Sequence, residues 1–209
     1  MSEYVRKFNS FITNQIKEIK NINIVEFGVK EGRSTKIFLE LCKKNSGKLF
    51  SIDVDDYGHK FKDPNWTFIQ SRDDNFEFLE KKIPSKIDII YLDSLHEAEH
   101  VNKIFYYYYK KLNINGFFFI DDISWLPYLK GGIRNSFYCE INNLETFNKI
   151  LEIYKNNTEN FDLSFDFTSS GSCKIYKKAN SLNLPDKIKT REKSFKNFIR
   201  KFFRLIKIN

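Results

Sequence analysis

The sequence predicts an α/β domain: a doubly wound, mostly parallel sheet of seven strands, ending in an antiparallel C-terminal hairpin. Three observations carry this prediction. Short apolar runs alternate with stretches of helical spacing along most of the chain. The runs are apolar throughout instead of at every second position, the pattern of strands buried on both faces of a parallel sheet. Nearly every run stops at an acid or a glycine, at the edge where open α/β sheets bind ligands. A chain of 209 residues holds one such domain, or a domain and a small appendage. The expected division is an N-terminal helix over 1–20, the main domain over 21–180 and a basic tail over 185–209.

The elements follow in order. Val5, Phe8, Phe11, Ile12, Ile16 and Ile19 have helical spacing within residues 3–20. Asn21 to Phe27 reads as a first strand meeting Gly28. Ser34 to Lys44 reads as a helix, with Ser34 or Thr35 placed to help cap it. Lys48 to Ile52 is a second strand ending at Asp53, and Trp66 to Ile69 a third. A helix over Asn75 to Lys82 leads to a fourth strand, Ile87 to Leu92, ending at Asp93. A helix over Glu97 to Leu112 leads to a fifth, Gly116 to Ile120, ending at Asp121-Asp122. Beyond Trp125 the pattern loosens. Leu144 to Tyr154 is helical, and Phe161 to Phe167 and Cys173 to Lys177 flank SSGS as a closing hairpin.

Composition narrows the class. Hydrophobic residues make up 41% and aromatics 17% of the chain, which excludes a disordered protein. Cys42, Cys139 and Cys173 are odd in number and widely spaced, as expected of reduced thiols in a cytoplasm. MSEYVRKFNSF is too polar for a signal peptide, and no apolar run has the length to span a bilayer. The formal net charge is +8, but nine Lys or Arg against one acid fall between Lys187 and Lys207, and the rest is close to neutral.

Chemistry is expected at the strand ends: Glu26 and Gly28, Asp53, Asp93, then Asp121 and Asp122. Asp and Asn are common turn formers, which explains any one of these and poorly explains the set. The first loop, Glu26 to Thr35, has glycines at 28 and 32 but Lys30 where a dinucleotide loop needs its middle glycine. Glu26 is an anion unwelcome beside phosphate. A ligand with an ammonium group and no phosphate suits the loop better, and Asp53 is placed to accept from both hydroxyls of a ribose. Adenosine plus an amino acid without phosphate describes S-adenosylmethionine.

EFGVKEGRST, SIDVD, IIYLDSLHEAEHV and NGFFFIDDI, taken in order, resemble the class I S-adenosylmethionine-dependent methyltransferases, with a Rossmann-like sheet. The likeness is closest to methyltransferase family 24, related to the catechol and caffeoyl-CoA O-methyltransferases, and covers roughly residues 20–125. It implies that Glu26, Gly28 and Ser34 line the methionine end of the cofactor, that Asp53 holds the ribose, and that Gly32 and Asp93 also border the cofactor. Ser71-Arg72-Asp73 falls where relatives contact adenine, without their Gly-Asp-Ser, and places Asp73 there. Metal-dependent relatives bind a divalent ion at positions matching Asp93, Asp121 and Asp122. The physics agrees, since three converging carboxylates need a cation, protons or basic partners. An all-oxygen set favours Mg²⁺, Mn²⁺ or Ca²⁺ over zinc. His96 is the candidate base for a hydroxyl acceptor, where catechol-type relatives have a lysine. The plain alternative is a solvent-facing residue at a helix start.

Other features leave readings open. His96-Glu97-Ala98-Glu99-His100 matches H-E-x-x-H, a zinc hydrolase pattern, but lies directly after a buried strand and no histidine follows it. Trp125, Tyr128 and Arg134, with Gly131-Gly132 as a hinge, are expected to form an acceptor lid or an ordinary packed loop. Tyr106 to Tyr109, mid-helix, read as core plus surface. In the tail, Phe195, Phe198, Ile199, Phe202 and Ile206 oppose Lys and Arg. That is the pattern of a helix on an anionic membrane surface; nucleic acid, the domain itself or a second subunit are the other candidate partners. The expectation is a cytoplasmic O-methyltransferase, peripheral on the inner membrane face, acting on a small molecule such as a sugar or glycan precursor with Mg or Mn. A same-fold oxygenase-like enzyme and an RNA methyltransferase are the alternatives.

Overall fold

The computed structural model describes residues 2–126, 128–129, 132–133, 137–189 and 194–206. Its seven-stranded sheet comprises β1 (Asn23–Phe27), β2 (Lys48–Asp53), β3 (Trp66–Gln70), β4 (Ile87–Leu92), β5 (Leu112–Asp121), β8 (Phe161–Asp166) and β9 (Ser172–Lys177), in the order β3-β2-β1-β4-β5-β9-β8. The first five are parallel. β9 runs antiparallel to β5, and β8 antiparallel to β9, which gives the expected hairpin. The chain winds outward from β1 to β3, returns to β4 beside β1, and winds the other way. The carboxyl ends of β1 and β4 therefore border the switch point where such sheets open a crevice.

Strand alternation divides the core into two layers. Val25 and Phe27 of β1 and Phe118 and Ile120 of β5 join one apolar cluster with α5 (Ala98–Tyr109) and α6 (Phe137–Lys155). Ile24, Ile89, Tyr91 and Phe119 point the other way and pack with Phe38 and Leu39 of α3 (Arg33–Asn45). Both faces of the central strands are covered, which is why these strands carry no polar alternation.

The N-terminal segment also lies on the second face. It is helical from Glu3 to Ile16, but only α1 (Glu3–Lys7) and α2 (Asn14–Ile16) are α-helical; Phe8–Thr13 between them is wound more widely, as a π-helix. That coil keeps Phe8, Ile12 and Ile16, each four residues apart, fully buried. Two other elements begin earlier than the sequence suggests. β5 starts at Leu112 and passes an irregularity in its pairing with β4, with Asn115 at φ 66°. α6 starts at Phe137, where Phe137, Tyr138 and Ile141 are exposed and leave no core-facing stripe to read. α4 (Phe76–Glu80), the small β6 (Tyr128–Leu129) and β7 (Gly132–Ile133) pair, and α7 (Phe195–Ile206) complete the elements. No helix among the described residues is long and apolar enough to cross a membrane.

Candidate active site

The first loop is held by two acids that do different work. Gly28 adopts φ +97°, and a Cβ there would collide with the Asp93 carbonyl, so only glycine lets β1 and the end of β4 approach this closely. Gly32, at φ +75°, precedes the first turn of α3. Glu26 is wholly buried, and its carboxylate accepts from Ser34 Oγ (2.5 Å), Thr35 Oγ1 (2.8 Å) and Ser51 Oγ (2.6 Å), binding β1, α3 and β2 together. Burial pushes Glu26 up to about 7, against the lowering effect of the three hydroxyls. Asp53 uses Oδ2 to accept from the backbone amides of Val29 (2.7 Å) and Lys30 (3.3 Å), and Oδ1 from that of Asp55 (3.1 Å).

A cavity of about 500 Å³ opens at the switch point. Its walls include Gly28, Asp53, Tyr57, Asp73, Asp93 and His100. Among the described residues that line it, Glu26, Gly32 and Ser34 do not occur. Glu26 and Ser34 are buried and joined in the hydrogen-bond network beneath the first loop. Asp73 is 8% exposed and accepts from Ser94 Oγ (2.5 Å), while His100 Nε2 lies 2.8 Å from the same oxygen. The Tyr108 hydroxyl donates to the Asp73 carbonyl (2.9 Å).

The carboxyl ends of β4 and β5 carry the second group. His96 Nε2 lies 3.4 Å from Asp93 Oδ1 and 3.4 Å from Asp122 Oδ2. One ligand atom from each of Asp93, His96 and Asp122 lies within 4.8 Å of the others. Burial pushes Asp93 up to about 6; the hydrogen bond from His96 opposes this, and the charges of Asp121 and Asp122 add to it. Burial lowers His96, but the hydrogen bond to Asp93 and the charges of Asp122, Asp93 and Asp121 outweigh it, and the net shift is upward. Asp122 sits at φ 54°, a left-handed conformation that Asp tolerates better than most residues.

Asp121 departs from the expected metal trio. It is 2% exposed, receives Lys7 Nζ at 2.5 Å, a hydrogen bond from Ser172 Oγ, and one from the Tyr91 hydroxyl at 3.0 Å. Lys7 is itself fully buried and also donates to Ser170 Oγ (3.1 Å). Lys7 thus supplies the basic partner that three crowded carboxylates require, and the convergent set is Asp93, His96 and Asp122. This set is not all-oxygen. The imidazole moves its preference from Mg²⁺ and Ca²⁺ toward Mn²⁺, Fe²⁺ or Zn²⁺. Tyr4, one turn before Lys7, has its hydroxyl pushed upward by burial and then by the charges of Asp93 and Asp121. The sequence signals the need for a cation here but not that α1 would provide it.

The H-E-x-x-H pattern does not form a zinc site. α5 begins at Ala98, so His96 lies in the loop before it while His100 is in its first turn. The two rings serve separate groups, Asp93 with Asp122 and Asp73. Trp125 packs on Phe147 (4.4 Å between ring centroids) and Phe167 (5.4 Å), which favours the packed loop over the lid. Gly132 lies in β7, and Gly131 and Arg134 lie outside the described residues.

The profile of a methyltransferase domain family matches residues 25–123, from β1 to just beyond β5. Over these 99 of its 209 residues the chain is similar to that methyltransferase domain. This is the S-adenosylmethionine-dependent enzyme class that the four sequence stretches resemble. No curated protein matches the chain. Solved structures show the fold. MycE methyltransferase from the mycinamycin biosynthetic pathway, in complex with Mg, SAH and mycinamycin VI, is 18% identical with a TM-score of 0.61, covering 93% of this chain and 54% of its own. The chain thus spans little more than half of MycE. A Staphylococcus aureus protein described as a caffeoyl-CoA O-methyltransferase is 16% identical with a TM-score of 0.61, with 85% and 84% covered. A Clostridium thermocellum protein described as an rRNA methylase is 18% identical with a TM-score of 0.60, with 80% and 94% covered.

Proposed function

We propose that this methyltransferase domain transfers the methyl group of S-adenosylmethionine to a hydroxyl of a small molecule seated over Asp93, His96 and Asp122. One observation carries the reading: Asp93 belongs both to the wall of the 500 Å³ cavity and to the acid–histidine group. A cofactor in that cavity would end beside the group, so methyl donor and acceptor oxygen would meet at Asp93. The cavity suits adenosine. Asp53 keeps lone-pair capacity for one ribose hydroxyl beyond the three amides it holds, and Asp73 offers an acceptor for an exocyclic amine. Gly28 leaves the backbone bare where the methionine end would pass.

In the reaction the acceptor oxygen attacks the methyl carbon, the carbon–sulfur bond breaks, and S-adenosylhomocysteine leaves with the electron pair. Without an ion the hydroxyl proton passes to the neutral His96 imidazole, whose charged form Asp93 and Asp122 stabilise; with the imidazole held by an ion, the proton would pass to solvent. A divalent ion, when bound by Asp93, His96 and Asp122, would act as a Lewis acid toward the acceptor oxygen. The residues fit such an ion, with two carboxylates and one imidazole converging. The same imidazole nitrogen favours a second reading, an oxygenase-like enzyme holding iron; appearance of a methylated product separates the two.

The test is calorimetric titration of S-adenosylmethionine into the full chain, with Mn²⁺, with Mg²⁺ and with EDTA, followed by methyl-transfer assays on phenolic, sugar and RNA acceptors. Micromolar binding and transfer to a hydroxyl are expected, with transfer reduced by EDTA. Absence of cofactor binding under all three conditions overturns the reading. Methylation of RNA that survives EDTA replaces it with the RNA alternative.

A further inference from the structure

We infer that α7 is a docking surface for an anionic lipid bilayer. Three observations carry it. First, α7 is amphipathic without having buried its apolar side: Phe195 is 76% exposed, Phe198 67% and Phe202 55%. A helix of this kind ordinarily turns its apolar stripe to a core. Second, helical spacing gathers Phe195, Phe198, Ile199 and Phe202 on one side and Lys196 and Arg200 on the other. Third, the chain's charge is concentrated here. Residues 187–207 hold nine of the 35 Lys and Arg and one of the 27 Asp and Glu, so the remaining 26 of each cancel. The rest of the chain is neutral, and the whole excess of +8 lies between residues 187 and 207, in α7 and the sequence on either side of it.

One occupant satisfies both sides of the helix. In the headgroup layer of a bilayer the Phe and Ile side chains reach the acyl boundary, while the Lys and Arg side chains stay with anionic headgroups. Nucleic acid would use the basic side and leave the exposed phenylalanines in water. A second copy of the chain would cover the apolar side and bring two strongly basic segments together. α7 has no length or composition for crossing the bilayer, so the expected attachment is peripheral and reversible. A neutral domain on a basic amphipathic helix would present its active site to acceptors at or near the membrane surface.

The test is flotation of the full chain with vesicles of phosphatidylcholine alone and vesicles enriched in phosphatidylglycerol, at low and high salt. Binding to the anionic vesicles is expected, weakened by salt and poor on neutral ones. Lys196→Ala with Arg200→Ala should weaken partitioning about 25-fold, from roughly fivefold for each basic residue near an anionic surface. Phe198→Ser with Phe202→Ser should abolish it. Both pairs are exposed, so melting temperatures should stay at the parent value, and a variant that melts early is replaced by Phe195→Ser with Phe203→Ser. Equal binding to both vesicle types, or binding untouched by either double substitution, overturns the proposal. So does a dimer that Phe198→Ser with Phe202→Ser splits in the absence of vesicle binding, or single-stranded RNA bound by a chain that ignores vesicles.

Discussion

Asp121 and Asp122 are adjacent in the chain and live in opposite surroundings. Asp121 is buried, and Lys7, Ser172 and Tyr91 converge on its carboxylate. Asp122 turns the other way, with its side chain 32% exposed and His96 3.4 Å off. A strand that ends in two acids thus sends one into the packing of the domain and leaves the other partly exposed beside a histidine. What separates them is the supply of donors. A buried carboxylate given an ammonium and two hydroxyls is a structural element, and one left beside a histidine and another carboxylate still has capacity for a ligand.

The largest expected effect comes from removing the internal cation. Lys7→Ala should destabilise the domain by about 3–5 kcal/mol, because it strands a buried carboxylate, and Lys7→Met combined with Asp121→Asn should recover most of that loss. Urea unfolding of the three proteins measures both. A loss under about 1 kcal/mol for Lys7→Ala would show that the pair contributes little, in the way of an exposed ion pair, and the contrast between the two acids would fail. Asp122→Asn should do the reverse: stability within about 0.5 kcal/mol of the parent, as for substitutions outside the packed interior, and methyl transfer down by roughly 100-fold or more. Thermal melts and turnover on the same preparations separate these outcomes.

Glu26 extends the comparison to a buried acid held by hydroxyls without a cation. Its carboxyl is raised from 4.5 to about 7, so the folded state binds its proton more readily than the unfolded chain. Its contribution to stability is present in full below pH 4.5 and is lost as pH rises toward 7. The loss should be of the order of 3 kcal/mol, since each tenfold gain in proton affinity is worth about 1.4 kcal/mol. Glu26→Gln should remove this slope from a stability profile over that range, and an unchanged slope would assign it to other groups. The smallest effect is expected at the cavity wall. His100→Ala takes one partner from Asp73 but leaves Ser94, so affinity for S-adenosylmethionine should fall about tenfold, near the value of one charge-assisted hydrogen bond. Isothermal titration reads it directly, and a change in turnover without a change in affinity would place His100 elsewhere in the mechanism.

The strand ends are legible in the sequence because their signal is local. Gly28, Asp53, Asp93 and Asp122 each follow an apolar run that could only be a buried strand, and the parallel order brings those ends to one edge. The same locality explains what is hidden. Lys7 lies 114 residues from Asp121, and nothing in VRKFN marks a lysine that will be fully buried. Asp121 and Asp122 are the same residue type in succession, and their separation depends on Ser172 and Tyr91 arriving from other strands. His96 reads from the sequence as a proton acceptor; that it faces both Asp93 and Asp122 follows from the start of α5 at Ala98, a boundary the sequence blurs by running polar residues across it. The tyrosine run resolves as expected into core and surface, with Tyr108 and Tyr109 fully buried and Tyr106 and Tyr107 reaching Asn183 and Glu80 at the rim.

Lys7 and Ser172 meet on one carboxylate from opposite ends of the domain, and this orders events during synthesis. β1 to β5 can emerge and pair while Asp121 still lacks Ser172, because its serine partner lies 51 residues further on. A ribosome-bound chain that stops short of β9 therefore carries an acid that α1 alone has to neutralise, beside a sheet edge still open for pairing. Long-range contacts of this kind form late, and a chain paused at that stage is exposed to misassembly. The closing hairpin then completes the sheet and the coordination of Asp121 in the same step.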